Sequence, residues 1–455
     1  MRTGRDLARH VLARVEQDGA FAGRLLASAL DRAQLEPAER ALATELVYGV
    51  LRRRARLDRA LEAVADRGLA SLDPSMRILL RVGAYQLLFL DRIPVYAAVH
   101  DTVETAKRIH GRGLAGLTNA LLRRVSERGE PPLPDPTRDP LGHLIESCGF
   151  PPWLARLAVR ELDAATAVAL ADQMATPAPT ALRANRLAGV TRDDLLAALA
   201  VERPDARFAP SPVAPDGIVA RGFDGPARTQ AFERGAFAIT DTGAQVVAEL
   251  CGAAPGERVL DACAGLGGKT GHLAALAGNR AEVLAVDLSA PKLEQALEQA
   301  RRLGASGVQT RVANLTEALP EELGVFDRVL LDAPCAGLGV LRRHPELLLR
   351  RSEGDLPALA ETQRRMLDVV AARVRPGGTL TYAVCTFERA ECEDVVTSFL
   401  GTHPEFRLER PAAAVGGVPW ERVLDAAGSV RTWPHRDDAD AFFAARMRRA
   451  VDAGG

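Results

Sequence analysis

The stretch Val259-Leu-Asp-Ala-Cys-Ala-Gly-Leu-Gly-Gly-Lys-Thr270 decides the fold class. Val259 and Leu260 form a short apolar run, the end of a buried strand. Gly265, Gly267 and Gly268 follow at once. Glycine lets the backbone turn sharply and lets a ligand approach without meeting a Cβ. His272 to Ala277 is rich in Leu and Ala, so a helix is expected from near Lys269. Strand, glycine loop and helix make the first crossover of a doubly wound sheet, where ligands bind at the switch point. The loop is not G-x-x-x-x-G-K-[ST], whose first glycine would fall on Cys263. It is not G-x-G-x-x-G, because Lys269 and Thr270 follow Gly268. A pyrophosphate cradle is therefore not indicated.

Downstream, strands and helices alternate. Strands are expected over Glu282–Asp287, Val308–Val312, Phe326–Leu331, Thr379–Val384 and Ala441–Met447. Helices are expected over Pro291–Leu303, Leu356–Arg375 and Ala390–Leu400, with Pro376-Gly377-Gly378 stopping the second. Such alternation implies an α/β sheet with crossover helices from about residue 236 onward. Asp287 closes the second strand, 26 positions after Asp261. A carboxylate there can accept hydrogen bonds from ribose hydroxyls; its competing role is to cap the helix that follows Leu288-Ser289. Asp332-Ala-Pro-Cys335 ends the fourth strand and Cys385 the fifth. Both thiols and the carboxylate are expected on the rim that carries the glycine loop. Cys148, Cys251 and Cys392 have no such placement and read as small buried hydrophobes.

Upstream, residues 1–129 read as helix throughout. Leu7, Val11, Leu12 and Val15 recur at helical spacing, as do Leu42, Leu46, Val47, Val50 and Leu51, and Ile78, Leu79, Val82, Tyr85 and Leu88. Arg52, Arg53, Arg54, Arg56 and Arg59 cluster after Tyr48. For any one of them a solvated face is the favoured reading; the density raises phosphate contact as an alternative. Residues 130–140 are a stiff linker, with five prolines in the ten positions 131–140. Residues 141–235 read as a small α+β module, with a helix over Trp153–Val168, a strand over Thr180–Asn185, a helix over Arg192–Leu199 and a strand near Ile218–Ala220. A Pro-rich run at 204–215 interrupts it.

The 455 residues allow about three domains. Apolar residues make up 47%, enough for real cores. With 58 basic against 59 acidic residues, bulk charge does not mark a nucleic-acid binder. None of the six cysteines forms a C-x-x-C pair, so neither zinc nor a disulfide framework is expected, and free thiols fit the cytoplasm. No uncharged apolar run reaches the roughly 18 residues of a membrane span, and the N-terminus leads into an amphipathic helix rather than a signal core.

Asp261-Ala-Cys-Ala-Gly-Leu-Gly-Gly-Lys269, Asp332-Ala-Pro-Cys335-Ala-Gly and Tyr382-Ala-Val-Cys385-Thr together resemble the S-adenosylmethionine-dependent RNA cytosine-5 methyltransferases. The helical N-terminus, closed by Asn119-Ala-Leu-Leu-Arg-Arg124, is similar to the NusB-like domain of the bacterial Sun (RsmB) branch. Arg342-Arg-His-Pro-Glu346 and Asp440-Ala-Phe-Phe443 match later segments of that family. The resemblance implies an all-α NusB-like RNA-binding domain at 1–129, an α+β RNA-recognition module at 141–235, and a Rossmann-like class I methyltransferase domain at 236–455. It implies S-adenosylmethionine at Cys263, Ala264, Gly265, Leu266, Gly267, Gly268, Lys269, Asp287, Asn314 and Asp332, and small-subunit ribosomal RNA as partner. By the same resemblance Cys385 is the nucleophile, Cys335 assists product release, and Asp332 and Lys269 hold the base. No metal and no membrane are implied, and a monomer is expected. The chain departs from the family where Gly265-Leu266 replace Ala-Pro, where Asn314 replaces an acid, and where Thr240 replaces a Gln. Two other readings stand beside this one: a methyltransferase acting on another RNA, on DNA or on a small molecule, with Cys335 as nucleophile in the DNA case, and a non-catalytic NusB-like RNA-binding factor.

Overall fold

A computed structural model describes residues 3–411 and 416–451. The span read as catalytic includes 412–415 and 452–455, which lie outside the described residues, as do the first two residues. The chain forms two compact units, one of Met1–Pro177 with Leu341–Glu353, the other of Ala178–Val340 with Gly354–Gly455. Compactness thus divides the chain differently from composition. Within residues 141–235, the helical first part belongs to the helical unit and the strands to the second.

The helical unit begins with helices Gly4–Asp18, Ala22–Arg32, Pro37–Arg52, Arg54–Glu62, Pro74–Phe89, Val95–His110 and Arg112–Arg128. Thr3 and Asp73 cap two of them by accepting backbone N–H bonds from Asp6 and Ser75. The helical-period residues of the sequence, Leu7, Val11, Leu12, Leu46, Val50, Ile78 and Val82 among them, meet in one core. The arginine cluster is largely consumed inside this unit. Arg56 holds both oxygens of Glu130, and Arg59 bonds Glu146 at 2.9 Å and the Pro132 carbonyl at 3.1 Å. Arg53 and Arg56 lie over the Phe89 ring. These side chains fasten the start of the proline-rich segment to the helices. The single helix expected over Trp153–Val168 is two, Pro152–Leu162 and Ala164–Met174. Asp163 adopts φ +67° between them and caps the second by accepting from Thr166 N–H.

The second unit carries two sheets. In the smaller, β1 (Thr180–Ala184), β2 (Arg207–Pro210), β3 (Gly217–Arg221) and β4 (Phe237–Ile239) run antiparallel in the order β2-β3-β1-β4. β2 sits within the proline-rich run read as a break. It is an edge strand with Pro210 at its end, the place where a missing N–H costs least.

The larger sheet contains β5 (Arg258–Ala262), β6 (Glu282–Asp287), β7 (Val308–Val312), β8 (Phe326–Asp332), β9 (Val374–Val384), β10 (Phe406–Leu408), β11 (Val430–Thr432) and β12 (Phe442–Arg449). Its order is β10-β12-β9-β8-β5-β6-β7, with β11 also paired to β12. β5 to β9 are parallel, while β12 runs antiparallel to β9. The order reverses between β5 and β8, so the crevice for a ligand opens at their carboxyl ends. The helix expected to reach Arg375 ends at Ala371, and Pro376-Gly377-Gly378 lies inside β9. The register against β8 shifts there, between the Phe326–Val374 and Arg328–Thr379 pairs. The next helix begins at Glu393 rather than Ala390, after a short turn at Arg389–Glu391.

Candidate active site

The loop after β5 is shaped by its backbone. Cys263 takes a left-handed φ of +62°, uncommon for a residue with a Cβ and concentrated at functional sites. Ala264 N–H then donates to the Val286 carbonyl at 2.9 Å, tying the loop to β6. At Gly267, φ is +79°, and a Cβ would lie 2.7 Å from Ala296 Cβ. Only glycine lets helix Gly268–Leu276 start this close to helix Ala290–Arg302. Asp287, at the end of β6, accepts from Gly265 N–H at 3.0 Å and from Ser289 N–H at 2.9 Å. It therefore caps the following turn and also ties down the glycine loop. Leu266 is exposed at the loop tip. Asn314 lies just beyond β7, beside the end of β6 through the bond from Ala313 N–H to the Asp287 carbonyl. Its amide is engaged locally, accepting from Thr316 and donating to Glu317.

Beneath the loop, Thr270 Oγ1 donates to Asp261 Oδ2 at 2.6 Å. Burial pushes the Asp261 carboxyl up to about 7, against the lowering effects of Thr270 and Lys269. The folded state thus keeps a proton that the unfolded chain, with the ordinary value of 3.8, has released. Stability contributed by this group is lost as pH rises from about 4 to about 7. Asp261→Asn removes the titration. The stability of the wild type relative to this variant is expected to fall between pH 4 and pH 7, by about 4 kcal/mol at most, and to be flat above. Denaturant midpoints at pH 4.5 and 7.5, each taken for both proteins, measure it. A constant difference would show that Asp261 does not titrate in that window.

Two thiols meet at the sheet's rim. Cys335 Sγ lies 3.3 Å from Cys385 Sγ, both side chains partly exposed. The hydrogen bond with Cys385, then burial, then the charges of Cys385 and Glu391 hold the Cys335 thiol well above its ordinary range. Cys385 is anchored through its carbonyl, which accepts from Gly339 N–H at 2.9 Å. A Cβ at Gly339 would stand 2.0 Å from the Ala441 carbonyl oxygen, so the close approach needs glycine. Lys269 Nζ bonds Asp332 Oδ2 at 2.6 Å and lies 5.3 Å from the centre of the Phe442 ring. Burial works against the Lys269 ammonium, but Asp332 and its other acidic neighbours outweigh it and raise its pKa.

The structure thus brings Cys335 and Cys385 into contact, pairs Lys269 with Asp332, and joins Gly265 to Asp287. Asn314 joins them through its backbone neighbour rather than through a side-chain bond. Cys148, Cys251 and Cys392 are buried. Sequence reading missed the buried trio Gln363, Tyr382 and Glu391 behind the Cys335 loop. Tyr382 belongs to a quoted motif, but nothing in helical Gln363 or in Glu391 marks them before the chain folds. Among the described residues, one group of possible metal ligands, His143, Cys148 and Asp172, brings its donor atoms within 4.8 Å of one another. It is bonded within itself, His143 Nε2 to Asp172 Oδ1 at 2.7 Å. Among the described residues no helix is long and apolar enough to cross a membrane.

Comparison with known proteins shows the family. Residues 250–448 match the family described as 16S rRNA methyltransferase RsmB/F, and residues 2–127 match the NusB family. The chain is 33% identical to the probable ribosomal RNA small subunit methyltransferase B of Bacillus subtilis, over 98% of each chain. It is 37% identical to ribosomal RNA small subunit methyltransferase B of Thermus thermophilus, again over 98% of each. The crystal structure of PH0851 shares the fold with a TM-score of 0.79 at 24% identity, covering 98% of both chains. With a NusB helical domain and a Rossmann-like domain that carries paired cysteines at the strand ends, this chain belongs to the RsmB/F family of 16S rRNA methyltransferases.

Proposed function

We propose that this protein transfers the methyl group of S-adenosylmethionine to carbon 5 of a cytosine in small-subunit ribosomal RNA, through a covalent adduct with Cys385. The observation that carries this reading is the 3.3 Å approach of Cys335 and Cys385 at the rim beside the Lys269–Asp332 pair. One thiol suffices for attack on a cytosine; a second in contact with it suits a separate release step.

The glycine loop suits the donor. It opens at the switch point, exposes backbone without Cβ atoms, and lies beside the Asp287 carboxylate, a group that can accept from ribose hydroxyls. Cys263, Ala264, Gly265, Leu266, Gly267, Gly268, Lys269, Asp287, Asn314 and Asp332 would hold S-adenosylmethionine, which supplies a methyl group on a sulfonium. Asp287→Ala is expected to weaken its binding about tenfold or more, because two accepting oxygens vanish. Calorimetric titration of the folded variant measures this, and wild-type affinity would move the site elsewhere.

Carbon 5 of cytosine is a poor nucleophile. Addition of the Cys385 thiolate to carbon 6 pushes the ring electrons onto carbon 5, which can then take the methyl group. Asp332 stabilises the proton at ring nitrogen 3, and Lys269 holds Asp332 and the base. In release, the carbon 5 proton passes to water, the electron pair closes the C5–C6 double bond, and the bond from carbon 6 to Cys385 breaks. Cys335 donates its S–H proton to the departing sulfur and regains one from solvent. The cytosine must be unpaired or flipped out.

RNA affinity rather than catalysis is assigned to the helical domain and the β1–β4 sheet. On the helical domain, Tyr96 is 78% exposed in a groove with His100, Asn119 and Arg123. An exposed ring beside a guanidinium suits unstacked bases. The proposed work on ribosomal RNA implies a cytoplasmic protein. Bisulfite sequencing of ribosomal RNA from a strain lacking the protein tests the function: one protected small-subunit cytosine should become convertible. An unchanged pattern, together with no labelling of purified small-subunit RNA in vitro, would overturn it.

A further inference from the structure

Cys335 sits in a short loop after β8, and its flanking backbone is gripped from behind. Glu391 Oε1 accepts from Ala336 N–H at 2.9 Å and from Gln363 Nε2 at 2.8 Å. Gln363 Nε2 also donates to the Pro334 carbonyl at 3.0 Å. Tyr382 closes the ring, its hydroxyl lying 2.6 Å from the Glu391 carbonyl and 3.0 Å from Gln363 Oε1. Gln363, Tyr382 and Glu391 are each fully buried and come from three different elements: helix Asp355–Ala371, β9 and the turn Arg389–Glu391. Residues 334 and 336 are thereby held on both sides of Cys335, while Cys385 is anchored separately through Gly339.

Such a network is costly unless it is satisfied, and a buried carboxylate is costlier still. A neutral glutamine could accept the same bond from Ala336. The Glu391 charge also acts on the neighbouring Cys335 thiol, which it helps to hold protonated. A carboxylate beside it disfavours loss of its proton. Geometry and charge therefore act on the same sulfur.

We propose that Glu391, backed by Gln363, is a positioning residue that sets Cys335 for the release step and not for the attack by Cys385. This rests on the assignment of release to Cys335 made above. Glu391 touches neither base nor methyl donor in this role; it acts through the loop and through the charge it presents to the thiol.

The test uses the full chain, S-adenosylmethionine labelled in its methyl group, and a small-subunit ribosomal RNA transcript. Glu391→Gln keeps the size and the acceptor but removes the charge. It is expected to form methylated adduct in the first turnover and to release it about tenfold more slowly, because the bonds from Ala336 and Gln363 lose their charge assistance and hold the Cys335 loop less firmly. A labelled protein–RNA complex should then survive denaturing electrophoresis. The alkaline limb of the release rate should also move to lower pH, because the Cys335 thiol loses its proton more easily without the carboxylate. Glu391→Asp should restore that limb, which a purely structural role would not predict. Cys335 answers to Cys385 as well as to Glu391, so the profile is repeated on pre-formed adduct, where Cys385 is bonded to the base.

Unchanged release and pH profile in Glu391→Gln would overturn the inference. So would equal loss of adduct formation and release, with no trapped complex. Cys335→Ala separates the two claims. If it fails to accumulate adduct, the assignment of Cys335 falls. If it accumulates adduct and Glu391→Gln does not, only the role of Glu391 falls. Should Glu391→Gln prove unfolded by circular dichroism, Gln363→Glu carries the test. It keeps an acceptor for Tyr382 but loses the donor to Pro334 and Glu391, and faster-than-wild-type or unchanged release there would refute the network's role.

Discussion

Cys385→Ala is expected to abolish methyl transfer, by about 10⁴-fold or more, and to eliminate any covalent protein–RNA complex. The reason is chemical. Without a thiolate at carbon 6, carbon 5 has no electron density to offer, and no other described group stands where Cys385 does at the end of β9. Labelled S-adenosylmethionine with a ribosomal RNA transcript measures transfer, and denaturing electrophoresis measures the adduct. The alanine removes only a partly exposed sulfur and leaves the carbonyl that Gly339 uses, so the fold should survive. A trapped adduct in Cys385→Ala would refute its assignment as nucleophile. It would favour the DNA-type order, in which Cys335 attacks.

Cys335→Ala is expected to give the opposite phenotype. The adduct should form, because Cys385 remains, but its release should slow by on the order of 10²-fold with the loss of a proton donor. A methylated protein–RNA complex should then accumulate and persist on a denaturing gel. The 3.3 Å separation makes the two outcomes distinguishable, since it sets a proton-donating thiol in direct contact with the sulfur proposed to leave. If neither cysteine change matters, the pair is a structural bystander. If Cys335→Ala alone removes the adduct, the roles are reversed.

Some of this protein was legible before folding because the signal was local. β5 and the glycine loop follow from an apolar run and a glycine cluster, and β7 matches its expected bounds because Val308–Val312 is flanked by turns. Crossover helices with a strong apolar period were placed to within a few residues. Errors arose where local and tertiary preferences conflict. Pro376-Gly377-Gly378 reads as a helix stop, yet β9 carries it as an irregularity in the β8 register, held by the Val374 pairing before it and by pairing to both β8 and β12 from Thr379 onward. β4, β10 and β11 span three residues each, too few to show a period. Trp153–Val168 reads as one helix because Asp163 is compatible with a helix in composition, and only its left-handed backbone splits it.

The sequence alone determined that a parallel sheet would carry a glycine loop at its first crossover and that Asp287, Asp332, Cys335 and Cys385 would stand at strand ends. Strands that alternate with crossover helices run parallel, so their carboxyl ends share one rim and the alternation suffices to put such residues there. Tertiary structure decided the rest. It consumed the arginine cluster of residues 52–59 largely in internal contacts, because Glu130, Glu146 and Phe89 fold back against it. It set the distance between the two sulfurs and buried Gln363 and Glu391 behind one of them. Those are contacts between residues far apart in the chain, and no spacing along the sequence encodes them.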